Sequence, residues 1–159
     1  MRLRNDSITL KPKEETMKTI YNCLILNDYP EKHYASNLAA KLKTIETRTR
    51  EFKYRGDLII CCGEKSVTKN AGLALCVVNY YDCIEMTKDN EKEAMIEVFP
   101  KAKAMLLKDW RYFNRKFSFA KRRISGPFQG IFQITLPDDV FILKGQDEKV
   151  TEFHNHGFY

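Results

Sequence analysis

Lys43-Thr44-Ile45-Glu46-Thr47-Arg48 is the densest run of chemically capable side chains, and it continues through Arg50 to Arg55-Gly56-Asp57. On an extended segment side chains alternate between two faces, so Glu46, Arg48 and Arg50 share one of them. Charges of both signs on one strand face are costly to bury unless they pair or meet a ligand. Three readings follow. Lys43 and Glu46 form an ion pair, which contributes only about 0–1 kcal/mol if exposed; or the group lines a ligand pocket; or it is catalytic. In the ligand reading Glu46 accepts from the exocyclic edge of a base, Arg48 grips a phosphate, and Lys43 supplies further positive charge. Arg50 offers a second guanidinium fork of the same kind. In the catalytic reading a desolvated Lys43 loses its proton and acts as base or nucleophile, with Glu46 activating water or orienting the amine.

A second candidate surface spans residues 108–123. It holds Lys108, Arg111, Arg115, Lys116, Lys121, Arg122 and Arg123, opposed only by Asp109, with Trp110, Tyr112, Phe113, Phe117 and Phe119 interleaved. Cations attract a phosphate chain, and an exposed aromatic ring stacks a base for about 1–3 kcal/mol. The nucleic-acid candidates are therefore Arg55, Trp110, Arg111, Arg115, Lys116, Arg122 and Arg123. The competing reading turns the aromatics into the core and leaves the cations on a solvated outer face.

The chain of 159 residues is 43% hydrophobic and 30% charged, which fits one folded domain and excludes a disordered chain. Its net charge of +6 favours anionic partners. No apolar run reaches the roughly 18 residues of a membrane helix. The first residues show no secretory pattern, so a cytoplasmic protein is expected. Residues 1–16 read as a poorly ordered extension, with Met17 a second candidate start, 17–143 as the domain, and 144–159 as a peripheral tail. The five cysteines (Cys23, Cys61, Cys62, Cys76 and Cys83) lie in apolar runs without metal-ligand spacing, as reduced core thiols do. His154 and His156 form an isolated tail tripeptide with Asn155, and His33 reads as a solvated helix residue. No metal and no cofactor are expected.

Ile20–Leu26 reads as a first strand. Asp28, Pro30 and Glu31 suit a helix start, and Tyr34, Ala35, Leu38, Ala39 and Leu42 recur at helical spacing. That helix would deliver Lys43 at its C-terminal end, where the macrodipole favours a cation. A short strand from Thr44 to about Arg50 follows, then strands over Leu58–Cys62 and Leu73–Tyr81, the latter covered on both faces. Thr87 can cap a helix over Lys88–Phe99 with Ala94, Met95, Val98 and Phe99 inward. A further short helix is expected over Ala102–Leu107. Strand character returns over Trp110–Phe119 and Gln129–Leu136, and Val140–Leu143 pairs last. The fold class is α+β: a small, partly open β-barrel with flanking helices.

A helix feeding K-T-I-E-T-R and then Y-R-G-D-L-I-I resembles the ASCH domain family of the PUA-like superfamily. Gly72–Val78 followed by Asp82-Cys83, the aromatic region at Trp110, Tyr112 and Phe113, and Gly126 followed by Gln129–Phe132 agree in order and spacing. The resemblance covers about Ile20 to Thr135 and implies a PUA-like barrel with helices outside and a cleft beside the motif. It departs where Asn27-Asp28-Tyr29-Pro30 stands in place of a frequent Pro-Trp pair, and where Leu42 stands in place of a glycine. The resemblance implies RNA or nucleotide binding. For one branch it implies an amidohydrolase that deacylates N-acetylcytidine. Lys43 matches the essential lysine of that branch, while Glu46 occupies its threonine position. A protein-interaction adaptor using the exposed barrel faces is the third functional class.

Overall fold

The computed structural model describes residues 20–144. The expectations for the segment 1–16, Met17, the tail beyond Lys144, His154 and His156 lie outside the described residues. In chain order the strands are β1 (Ile20–Leu26), β2 (Asp28–Tyr29), β3 (Lys32–His33), β4 (Ile45–Arg48), β5 (Gly56–Cys62), β6 (Leu73–Glu85), β7 (Lys103–Arg111), β8 (Phe117–Ser118), β9 (Arg123–Ser125) and β10 (Phe132–Thr135). Two short helices, α1 (Tyr34–Ala39) and α2 (Glu91–Ala94), sit between them.

One sheet runs in the order β4-β7-β6-β5-β1-β10-β9, with β8 paired to β6. Only β1 and β5 pair in parallel among these neighbours. A parallel pair requires a crossover, and the one here carries α1 and β4. The sheet curls, and Arg48 on its first strand reaches back to the Ile25 carbonyl on β1 and the Gln129 carbonyl beside β10. One side chain thus spans the seam of a partly open barrel. The expected fold class is the one observed.

The central strands are buried on both faces. Leu58, Ile60 and Cys62 of β5, with Leu75, Val78 and Tyr80 of β6, face α1, Met105 and Tyr112. Ile59, Cys61, Ala74 and Val77 face the rings of Phe113, Phe117, Phe119 and Phe132. Period-two alternation inside an unbroken apolar run therefore feeds two cores at once. Burial pushes the Cys62 thiol up to about 11 and raises those of Cys61, Cys76 and Cys83 as well. These are poor nucleophiles, in line with the core-thiol expectation.

Several elements differ from expectation. The helix expected from Asp28 is replaced by the β2–β3 hairpin, with Pro30-Glu31 at its turn, and begins only at Tyr34. His33 is accordingly a half-buried hairpin residue. The helix ends at Ala39, because Lys41 takes a left-handed conformation (φ 66°) and turns the chain. Leu42 is consequently exposed rather than part of the stripe. Thr87 does cap a helical segment, but Met95 turns left-handed (φ 58°) after α2 and stands exposed. Ala102–Leu107 is not helical: residues from Lys103 join β7, where hydrogen bonds to both β4 and β6 override local preference. The expected strand over Trp110–Phe119 breaks after Arg111 and resumes as a named strand at Phe117–Ser118. Within Val140–Leu143 a single bridge joins Ile142 to Phe113.

Candidate functional site

Lys43 is the most unusual side chain of the molecule: a lysine only 1% exposed. The left-handed turn at Lys41, not the end of the helix, places it. Its Nζ donates to the Ala94 carbonyl at 2.5 Å, lies 5.1 Å from the centre of the Tyr34 ring, and is 3.6 Å from Glu46 Oε1. Burial lowers its pKa below the ordinary lysine value, against the pull of Glu46, and nearby Arg48 adds to the lowering.

Glu46 stands on β4 with its side chain only 10% exposed. Arg48, two residues on and on the same face, donates from Nε to Glu46 Oε2 at 2.8 Å. Its Nη2 donates to Ile25 O at 2.9 Å, and its Nη1 reaches Gln129 O at 3.4 Å. Three of the roughly five guanidinium donors are therefore turned onto protein acceptors. The strand alternation expected from sequence holds for Glu46 and Arg48. Arg50 lies beyond the end of β4, is exposed, and does not line the cleft.

Lys43, Glu46 and Arg48 lie together along an open cleft of about 990 Å³. Pockets for small ligands run about 300–1,000 Å³, so the space is ample. Tyr29, Tyr34, Phe99 and Phe128 contribute aromatic wall, and Asn27, Thr47, Lys65 and Gln129 contribute polar wall. Tyr29 and Phe128 are exposed at the rim. Two glycines shape this wall. A Cβ on Gly63 would sit 1.9 Å from Asn27 Oδ1, so glycine leaves the asparagine its place. Gly126 has φ +87°, and a Cβ there would lie 2.7 Å from backbone atoms of Ile131 and Phe132; it makes the turn that presents Phe128.

Sequence reasoning missed Asn27, Tyr29, Phe99 and Phe128. The turn signals Tyr29-Pro30 and Gly126-Pro127 were the available clue, since an aromatic beside such a turn tends to stay outside a core. It also missed Asp28, which lines the cleft yet has its carboxylate buried. That carboxylate accepts from the Ser36 amide and hydroxyl, from Thr68 Oγ1 at 2.7 Å and from Cys62 Sγ at 3.6 Å. The network continues through Asn70, which donates to Ser36 Oγ and accepts from Lys116 Nζ at 2.9 Å. It stiffens the base of the cleft.

The second candidate surface is arranged differently. Tyr112, Phe113, Phe117 and Phe119 are buried. Trp110 is half-buried against the core, and its indole N–H donates to Leu38 O while Tyr112 OH donates to Ala39 O. Tyr112 thereby satisfies a carbonyl that the end of α1 leaves open, and Trp110 adds a second bond to Leu38 O, which also accepts from the Lys41 backbone N–H. Arg111 forms a two-bond pair with Asp57, and Arg115 forms another with Asp139. Arg122 donates to the carbonyls of Thr135 and Leu136. Arg55 pairs with Glu51 and covers the Tyr80 ring. Only Arg123 adjoins the cleft: its guanidinium lies 5.1 Å from the centre of the Phe128 ring.

Among the described residues no three His, Cys, Asp or Glu side chains are grouped to hold a metal ion, and no helix is long and apolar enough to cross a membrane.

No protein-family model matches the chain, and no curated protein matches it. Solved structures do. The crystal structure of an ASCH protein from Zymomonas mobilis aligns with a TM-score of 0.50 at 16% identity, over 75% of this chain and 89% of that one. A tyrosine-to-phenylalanine variant from the same organism aligns at 0.46 and 14% identity, over 84% and 95% of the two chains. A serine-to-alanine variant aligns at 0.48 and 15%, over 74% and 89%. At this identity the first alignment establishes the architecture alone: the chain shares the fold of that ASCH structure, here a partly open barrel with flanking helices. The resemblance anticipated from the K-T-I-E-T-R run and the later glycines holds at the level of fold.

Proposed function

We propose that the cleft binds a nucleobase, carried by RNA or by a free nucleotide. One observation carries this reading. The Glu46 carboxylate, nearly buried and steadied by Lys43 and Arg48, faces an open cleft with aromatic walls rather than a packed interior. A hydrogen-bonding group on the floor and rings on the walls is the arrangement that holds an extruded base. The ASCH fold is compatible with this use.

The roles within the site differ from those expected of a phosphate-gripping Arg48. Its fork serves Glu46 and the barrel seam, so Arg48 is a positioning residue. Phosphate contact falls to the rim, to Lys65 and to Arg123 beside Phe128. The segment Arg111–Arg123 is a secondary contact, in which phosphates would replace Asp57 and Asp139 as partners of the guanidiniums. Anisotropy titration of a labelled single-stranded RNA tests the reading. Affinity should fall steeply with salt, and Glu46→Ala should weaken it about tenfold or more. Affinity unchanged in Glu46→Ala would refute the cleft assignment.

One observation favours a second reading, deacylation of an N-acetylcytidine-type nucleoside: burial lowers the Lys43 pKa toward a neutral, nucleophilic amine beside a carboxylate. Chromatography of N-acetylcytidine incubated with the protein decides it. Product that vanishes in Lys43→Met supports the reading, and no product at high protein loading removes it.

A further inference from the structure

Resting on the nucleobase reading above, we propose that the cleft selects guanine. The ground is the unused hydrogen-bonding capacity of Glu46. Arg48 Nε occupies Oε2 at 2.8 Å. Oε1 has Lys43 Nζ at 3.6 Å, longer than an ordinary hydrogen bond, because that amine is drawn to the Ala94 carbonyl. Among the described residues no other hydrogen bond reaches this carboxylate. A carboxylate offers about four lone-pair sites and donates nothing. Most of its accepting capacity is thus unmet in a side chain nine-tenths buried and lining the cleft. Leaving such a group unsatisfied is costly, so the ligand that restores stability is one that donates to both oxygens.

The four bases differ on this point. Guanine presents N1–H and N2–H₂ side by side on its pairing edge, so each carboxylate oxygen receives a donor along parallel lines. Adenine and cytosine present one amine beside a bare ring nitrogen, whose lone pair opposes the second oxygen. Uracil presents a single N–H between two carbonyls, which oppose both. Arg48 adds orientation: its bonds to Ile25 O and Gln129 O fix the guanidinium, and the guanidinium fixes the carboxylate before any ligand arrives. The two positive charges of Lys43 and Arg48 outweigh the single negative charge of Glu46, so a neutral base meets no excess negative field. Cleft volume does not discriminate, since about 990 Å³ admits purines and pyrimidines alike; the acceptor does.

Calorimetric titration of the full chain with the 5′-monophosphates of guanosine, inosine, adenosine, cytidine and uridine tests this. Guanosine monophosphate should bind at least about tenfold more tightly than the adenosine, cytidine and uridine forms. The inosine form, which lacks only the N2 amine, should also bind about tenfold more weakly than the guanosine form. Glu46→Gln, which replaces one acceptor by a donor facing N–H, should bring the guanosine and adenosine forms within about threefold of each other. The inosine comparison uses the unaltered protein and stands even if Glu46→Gln fails to fold. Equal binding of all five, a preference for another base, or binding of RNA but of no mononucleotide would overturn guanine selection and leave the cleft reading standing. Failure of both the mononucleotides and single-stranded RNA to bind would overturn the two together.

Discussion

The cleft at Lys43, Glu46 and Arg48 and the segment Arg111–Arg123 are built from the same kinds of residue, cations interleaved with aromatics, yet they end in opposite conditions. In the segment, Arg111 and Arg115 each meet a carboxylate with two bonds, and Tyr112, Phe113, Phe117 and Phe119 turn into the core. Those two guanidiniums are met from within the molecule. In the cleft, two cations flank one carboxylate whose second oxygen has its nearest donor, Lys43 Nζ, at 3.6 Å, and the rings of Tyr29 and Phe128 stay exposed at the rim. Composition alone does not distinguish the two regions. Unmet bonding capacity next to open space does.

The two regions should respond differently to substitution, and the largest loss of stability belongs to the segment. Phe113→Ala should cost about 3–5 kcal/mol in chemical denaturation, because it empties a core position packed edge-on against Phe117. Arg115→Ala, two residues on and exposed, should leave the midpoint within error. Similar losses for the two would erase the distinction between inward rings and outward cations. In the cleft, Lys43→Met should cost about 3 kcal/mol, since it removes a buried cation and strands the Ala94 carbonyl. A stabilised Lys43→Met protein would show that the amine is a burden on the fold.

Arg48→Lys should cost less, about 1–2 kcal/mol, because an ammonium cannot span Glu46, Ile25 O and Gln129 O together. Faster amide exchange at the seam strands β4 and β1 should accompany it; unchanged exchange would deny Arg48 its bridging role. The last test is in pH. Burial, reinforced by the neighbouring charge of Lys69, lowers the Lys116 pKa from 10.5 to about 8. Between those values the unfolded chain holds a proton that the folded chain has released. Stability relative to Lys116→Met should therefore rise as pH goes from about 8 to 10.5. A flat or falling difference would contradict the burial of that amine.

Much of the architecture was legible because burial on two faces leaves unbroken apolar runs. Ile20–Leu26 is a strand end to end, and Leu58–Cys62 and Leu73–Tyr81 lie inside longer strands. The helices were less legible, since their ends were set by features that periodicity does not carry. Lys41 and Met95 take left-handed turns although neither residue type favours them. Ala102–Leu107 resembles a helix in composition and becomes a strand through long-range pairing with β4 and β6. For the cleft, strand alternation placed Glu46 and Arg48 on one face. It could not show that Arg48 would bond across the seam, because Ile25 and Gln129 are brought there only by the curl of the sheet. The wall residues Tyr29 and Phe128 come from turns distant in sequence, which no single-segment pattern unites.

A crystal structure of the protein soaked with guanosine monophosphate would show whether Glu46 reads the base. The base should lie between the cleft walls, its N1 and N2 within hydrogen-bond reach of Glu46, with the Arg48 bonds to Ile25 and Gln129 intact. A nucleotide bound instead along Arg111–Arg123, with Glu46 drawn down onto Lys43 and the cleft closed, would contradict this placement.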